Sequence, residues 1–242
     1  MMRYSKHTGH SSPKEFQWIK QYVYPCLEGE KLSVLDVGCG EFGVIQHVFE
    51  ELGYRYIGID YDPEVFALRC DAHFLPFKNE VFSVIYSGET LEHFHTPWLV
   101  VSEIGRVAKE DALFIGHVPQ LYPFHGESYF NYTFMGIQRI LELGNFESNE
   151  IKLGYTVGES LLTAYISPYR LPRLLQSVLK IVFRTAMAFR KWVARIYLSM
   201  VADKLSASTR QKISFSLEKG DIIFAGGLIF IAHKNNRMKK RW

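Results

Sequence analysis

Gly38, Gly40 and Gly43 follow the apolar run Val34-Leu35-Asp36-Val37 in the spacing G-x-G-x-x-G. Glycines so placed let the backbone turn sharply after a strand and let a ligand approach the main chain and the following helix N-terminus. Asp36, two residues before the first glycine, restricts what that ligand can be. A carboxylate there would repel the pyrophosphate of a dinucleotide, whereas a phosphate-free ligand bearing positive charge would be favoured. Asp60 closes a second apolar run, Tyr54 to Ile59, twenty positions after Gly40. In a doubly wound α/β fold that position reaches the hydroxyls of a ribose.

These residues need a scaffold of strands that deliver them to one edge. Val34, Leu35 and Val37 read as a buried strand, and Val44, Ile45, Val48, Phe49 and Leu52 recur at helical spacing after the glycine turn. Tyr54–Asp60, Val81–Ser87, Ala112–Val118 and Glu147–Tyr155 are further strand candidates, separated by helix candidates over 97–109 and 133–143. Strands alternating with helices over this length predict a parallel sheet. Ahead of them, Ser12 and Pro13 open a capped amphipathic helix running to about Cys26.

The stretch Val34-Leu35-Asp36-Val37-Gly38-Cys39-Gly40 closely resembles the first motif of class I methyltransferases that use S-adenosylmethionine (SAM). The resemblance covers residues 30 to 155 and the final strand. It implies a Rossmann-like, doubly wound, mostly parallel seven-stranded α/β sheet, with a C-terminal helical insertion before the last strand. On that reading the core comprises residues 13–157 and strand 221–234, interrupted by an insertion over 158–220. It further implies SAM as cofactor, contacted by Asp36, Gly38, Cys39, Gly40, Asp60, Tyr61, Asp71, Ala72, Gly88 and Glu89. Asp71 would accept from the adenine amine, and the segment from Gly88 would lie against the methionine part. One departure stands out: the glycine pair usual before the fifth strand is replaced by Lys109-Glu110-Asp111-Ala112, expected as a turn.

The aromatic loop Pro119–Gly136 resembles the acceptor loop of methyltransferases of glycan and cell-envelope biosynthesis. Glu127, Tyr129 and Tyr132 are accordingly the substrate-binding candidates. Transfer to a hydroxyl would also gain from a general base, for which His125 is the first candidate and His93 the second. The implied function is methyl transfer from SAM to a small-molecule or lipid- or glycan-linked acceptor, at oxygen. Two other readings share parts of the pattern. A nicotinamide-dependent oxidoreductase would use the same glycine loop and Asp60, against the sense of Asp36, and a non-catalytic SAM-binding adaptor at a membrane surface would keep the fold without turnover.

Composition sets the remaining bounds. The chain of 242 residues is 48% hydrophobic and 22% charged, as in globular proteins. Cys26, Cys39 and Cys70 show no C-x-x-C spacing, so neither a disulfide framework nor a metal site is expected. The N-terminal residues lack the apolar core of a signal peptide, and a cytoplasmic location is the expectation.

The net charge of +3 is unevenly spread: residues 171–242 hold 15 Lys and Arg against 3 Asp and Glu. Within that segment, Arg173, Lys180, Arg184, Lys191 and Arg195 fall within about 60° on a helical wheel. The opposite face collects Leu175, Val178, Val182, Ala186, Phe189, Val193, Ile196 and Met200. Such a helix over 171–205 either packs its apolar face on the core or lies on an anionic membrane surface, with Trp192 near the interface. Nucleic acid is disfavoured, because no reading module is present.

Overall fold

A computed structural model describes residues 19–25, 32–40, 45–61, 67–121, 127–156, 173–201 and 225–235. Residues 19–22 are helical. The strands and helices that follow, in chain order, are β1 (Ser33–Val37), α1 (Gln46–Glu51), β2 (Arg55–Asp60), β3 (Leu68–Arg69) and β4 (Phe82–Gly88). After β4 come α2 (Pro97–Val107), β5 (Ala108–Pro119), α3 (Phe134–Leu143), β6 (Phe146–Thr156), α4 (Arg173–Val201) and β7 (Ala225–Lys234). The seven strands form one sheet in the order β3-β2-β1-β4-β5-β7-β6.

β1 pairs in parallel with both β2 and β4, β2 with β3, and β4 with β5. The last two strands are antiparallel. Asn235 donates its N–H to Asn145 O at 2.8 Å, whereas His233 Nδ1 meets Asn149 Oδ1 at 2.6 Å, so the pairing runs in opposite senses. The expected mixed, mostly parallel sheet with a closing hairpin is therefore present.

Alternation along the strands builds two cores. On one face Val34, Val84, Tyr86, Leu113, Ile115, Ile229 and Ile231 pack with Ile19, Val23, Val48 and Phe49. The other face carries Leu35, Ile85, Phe114 and Phe230, all fully buried. There the Phe114 ring meets Phe146 at 5.1 Å and Phe230 at 5.0 Å. Each such ring contributes about 1.5–3 kcal/mol by leaving water.

One sequence expectation needs correction. Lys109-Glu110-Asp111 forms no turn between helix and strand; β5 begins at Ala108, directly after α2. The register moves from Phe82 opposite Ala108 to Val84 opposite Leu113, so extra residues bulge out of β5. Asp111 accommodates the bulge at φ 60°, in the left-handed region that Asp tolerates better than most residues.

Two compact units are distinguished: residues 1–118, 126–151 and 229–242 form one, and 119–125 with 152–228 form the other. The first contains the parallel part of the sheet. The second contains α4, a 29-residue helix. Apolar residues of α4 that were expected to pack or to meet a membrane, including Leu175, Val178, Val182, Phe189, Val193, Ile196 and Met200, are exposed. Among the described residues, no helix is long and apolar enough to cross a membrane.

Candidate active site

β1, β2 and β4 deliver their carboxyl ends to one edge of the sheet, where α/β folds place their ligands. The turn after β1 is held from below: Ile59 O accepts from Gly38 N at 2.9 Å and from Cys39 N at 3.1 Å. Gly38 lies at φ 76°, and a Cβ there would come within 2.2 Å of the Thr90 side chain. Glycine is required at this position by backbone angle and by space together. Gly40, at φ 66°, requires it by angle alone, since an added Cβ would meet nothing within 4 Å.

Asp60, at the end of β2, accepts from Gly40 N at 3.0 Å through Oδ2 and so ties the glycine turn to the second strand. Asp36 is 2% exposed beneath the turn, where Tyr56 Oη donates to its Oδ2 at 2.5 Å. Burial pushes its carboxyl up to about 7, opposed by the Tyr56 hydrogen bond and reinforced by the Asp60 charge. The buried Cys39 thiol is pushed up to about 12, first by burial and then by the charges of Asp36 and Asp60.

A cavity of about 560 Å³ opens at this edge, a size suited to a nucleoside-like ligand. Val37, Gly38, Asp60, Tyr61, Asp71 and Ala72 line it on the side of the glycine turn. Glu89, Thr90, His93, His95 and Tyr129 line it from the segments beyond β4 and β5. Asp36, Cys39, Gly40, Gly88, Glu127 and Tyr132 are not among its lining residues. Asp36 instead stands behind the wall, and Gly88 packs so closely on Tyr86 that a Cβ would lie 2.6 Å from the hydroxyl. Tyr132, expected beside the acceptor, is 3% exposed and donates its hydroxyl to Leu91 O at 2.7 Å. That bond fixes the aromatic segment to the turn after β4, as do the bonds from Tyr129 N and Phe130 N to Glu92 O. His125 lies outside the described residues.

Imidazoles are more numerous here than the sequence reading anticipated. His73 and His95 line the cavity with His93, their rings 4.9 Å apart. Asp71 Oδ1 accepts from His73 N at 2.9 Å and lies 2.6 Å from His73 Nδ1. Desolvation works to raise the Asp71 carboxyl, but the two His73 hydrogen bonds, with the His73 and His95 charges, bring it below its ordinary value. The available signal was the H-x-H pair at 93 and 95; only strand order shows that the loops after β3 and β4 converge.

Glu89 stands at φ 48°, its N–H donated to His117 O at 2.9 Å and its Oε1 3.8 Å from His117 Nε2. Glu92 is fully buried, and burial raises its carboxyl well above the usual range, with Glu89 adding to the effect.

The family profile of a methyltransferase domain matches residues 35–116, the stretch from β1 through the bulged strand β5. Over those residues the chain is similar to a methyltransferase domain. A methyltransferase of Mycobacterium leprae, itself uncharacterized, is 32% identical over 107 residues, covering 38% of this chain and 39% of that protein. An uncharacterized methyltransferase of Mycobacterium tuberculosis is 31% identical over 108 residues, 39% of this chain and 42% of its own. The chain thus spans about two fifths of the length of the curated relatives it matches.

Among solved structures, phosphoethanolamine N-methyltransferase 2 of Haemonchus contortus, bound to phosphomonomethylethanolamine and S-adenosylhomocysteine, superposes with TM-score 0.53 at 13% identity. That likeness covers 93% of this chain and 53% of the other. The 4+2 cyclase SpnF superposes with TM-score 0.54 at 15% identity, over 91% and 80% of the two chains. Likenesses at this identity establish the fold.

SAM is the methyl donor that a methyltransferase domain implies. The cavity suits it: Asp60, Asp71 and Glu89 line the wall, Asp36 stands behind it, and among the described lining residues there is no Lys or Arg. A cationic amine and sulfonium are favoured in such a field, and a pyrophosphate is not.

Proposed function

We propose that the protein transfers a methyl group from SAM to a small-molecule or lipid- or glycan-linked acceptor, at oxygen. The observation that supports this is a single cavity whose wall joins the glycine-turn carboxylates to the imidazoles and Tyr129. Asp60 holds the ribose hydroxyls, Asp71 and Ala72 flank the adenine, and Gly38 and Glu89 border the methionine part. Asp36 stands behind the turn and adds negative potential once it loses its proton near pH 7, and Gly40 keeps the turn open. Tyr61 borders the same cavity, and Cys39 and Gly88 act through the turns that carry its wall.

SAM supplies an already electrophilic methyl group, so the chain's main task is to hold the acceptor oxygen in line with it. His93, at the cavity wall, takes the hydroxyl proton in this reading, and His125 is the other candidate for that step. Tyr129 and Glu127 position the acceptor; Tyr132 contributes through the Leu91 turn that carries His93. A lipid-linked acceptor would place the enzyme at the cytoplasmic surface of a membrane.

Titration calorimetry tests the cofactor half: SAM is expected to bind with Kd of about micromolar, roughly −8 kcal/mol. Asp60→Ala should weaken binding about tenfold or more without unfolding the chain. Turnover with methyl-labelled SAM and fractionated cell extract tests the acceptor half. His93→Ala should lower turnover while leaving SAM affinity near wild type, the pattern of an interaction made in the transition state. An equal fall in SAM affinity would move His93 to the cofactor side.

A further inference from the structure

α4 departs from the usual pattern of a helix in a globular protein. On a helical wheel of 3.6 residues per turn, its exposed apolar residues span about 160°. Ile181 is 61% exposed, Val182 56%, Phe189 63%, Trp192 58% and Met200 76%. Phe189 and Trp192 stack on each other with centroids 5.8 Å apart and an interplanar angle of 29°. They form a flat aromatic surface within the exposed arc.

An apolar patch of this extent on a soluble surface marks an interaction site. Charge selects the partner. The charged residues of α4 are Arg173, Lys180, Arg184, Arg190, Lys191 and Arg195, and no acidic residue accompanies them. Two copies packed through this arc would leave those charges, which lie mostly on the opposite face of the wheel, without an acidic partner. An anionic surface meets no repulsion anywhere along it. The helix is also too charged to cross a bilayer.

We propose that α4 docks the protein on a bilayer with anionic headgroups, lying in the membrane plane with its exposed apolar arc toward the acyl chains. By helical position, all of its basic residues but Arg190 lie in one stripe opposite the arc, and together they give the helix the positive charge that anionic headgroups attract. Trp192 lies at the headgroup level, where its amphipathic ring is favoured. The purpose of this surface rests on the lipid-linked reading of the acceptor, but its evidence does not.

The test is co-sedimentation of the full chain with phosphatidylcholine vesicles, with and without phosphatidylglycerol. Binding is expected to anionic vesicles at low salt, to weaken about tenfold or more as salt shortens the Debye length, and to be slight on neutral vesicles. The combined variant Val182→Gln, Phe189→Gln, Ile196→Gln alters residues already in water, so it should keep its fold and its SAM affinity and lose vesicle binding at every salt concentration. Reversal of Arg184, Lys191 and Arg195 to Glu should abolish the preference for anionic vesicles. If the apolar variant fails to fold, Val193→Gln with Met200→Gln supplies the same reading, with a severalfold loss expected.

Wild type that ignores anionic vesicles at low salt overturns the proposal. So does an apolar variant that binds them normally, or one that converts a dimer to a monomer in light scattering, which would make a second copy the occupant. Vesicle binding without any SAM binding would sink the methyl-transfer reading and leave this surface standing.

Discussion

Asp36 shows how burial alone can couple one residue to pH. In the unfolded chain its carboxyl loses its proton near 3.8, whereas in the fold it does so near 7. Between those values the folded state binds the extra proton, so stability falls as pH rises through that window and then levels off. The loss is on the order of a few kcal/mol at most. Asp36→Asn should remove it: urea unfolding at pH 5 and pH 8 should show a smaller difference in the variant than in wild type. Equal differences in the two proteins would mean that Asp36 is not held protonated. Gly38 and Gly40 make a second contrast. Gly38→Ala must both adopt φ 76° and displace the Thr90 side chain, and should cost about 2–4 kcal/mol. Gly40→Ala meets only the conformational penalty of about 1–2 kcal/mol, because the space beside it is open. Denaturant midpoints of the two variants check the order.

Elements are positioned by contacts that act at a distance from the chemistry. Arg106, near the end of α2, donates to Phe77 O at 2.7 Å, Leu75 O at 2.9 Å and both oxygens of Glu103. Glu103 in turn accepts from Leu75 N at 3.1 Å. This cluster anchors the segment directly after the cavity residues Asp71, Ala72 and His73. Arg106→Lys replaces a planar fork by a point charge and should cost about 1–2 kcal/mol, with a severalfold weaker SAM affinity in calorimetry. An unchanged affinity would show that 75–77 and the cavity edge move independently. Gly105 allows α2 to approach the end of α3 so closely that a Cβ would lie 2.3 Å from Gly144 O. Gly105→Ala should therefore destabilise by about 1–3 kcal/mol, seen in the thermal midpoint. SAM affinity measured below that midpoint should be unchanged.

At the scale of the molecule, the sheet order sets a gradient of stability. β1, β4 and β5 lie in the interior with partners on both sides, whereas β3 is a two-residue edge strand with both residues exposed. Amide exchange followed by mass spectrometry should find the slowest protons in β1, β4 and β5 and rapid exchange in β3. Uniform exchange across these strands would contradict a single cooperative sheet. The carboxyl ends of β1, β2 and β4, and of the bulged β5, lie at one edge of that sheet. A cavity can form there without any strand being broken.

Local chemistry made much of this legible in advance. The apolar strand runs, the 3.6-residue helix pattern, Gly38 and Gly40 announced a parallel sheet with a sharp turn after its first strand, because backbone angle and apolar spacing are local properties of the chain. Other features depend on what strand order brings together. Only the assembled sheet places His73 against His95 and Asp71, or spends the Tyr132 hydroxyl on Leu91 rather than on a ligand. The Lys109-Glu110-Asp111 segment could be read as a turn because its residues are polar; pairing with β4 absorbs it as a bulge. For α4, the amphipathic pattern established that there is an apolar face. It could not say whether that face is covered, since burial belongs to whatever packs beside a helix and not to the helix itself.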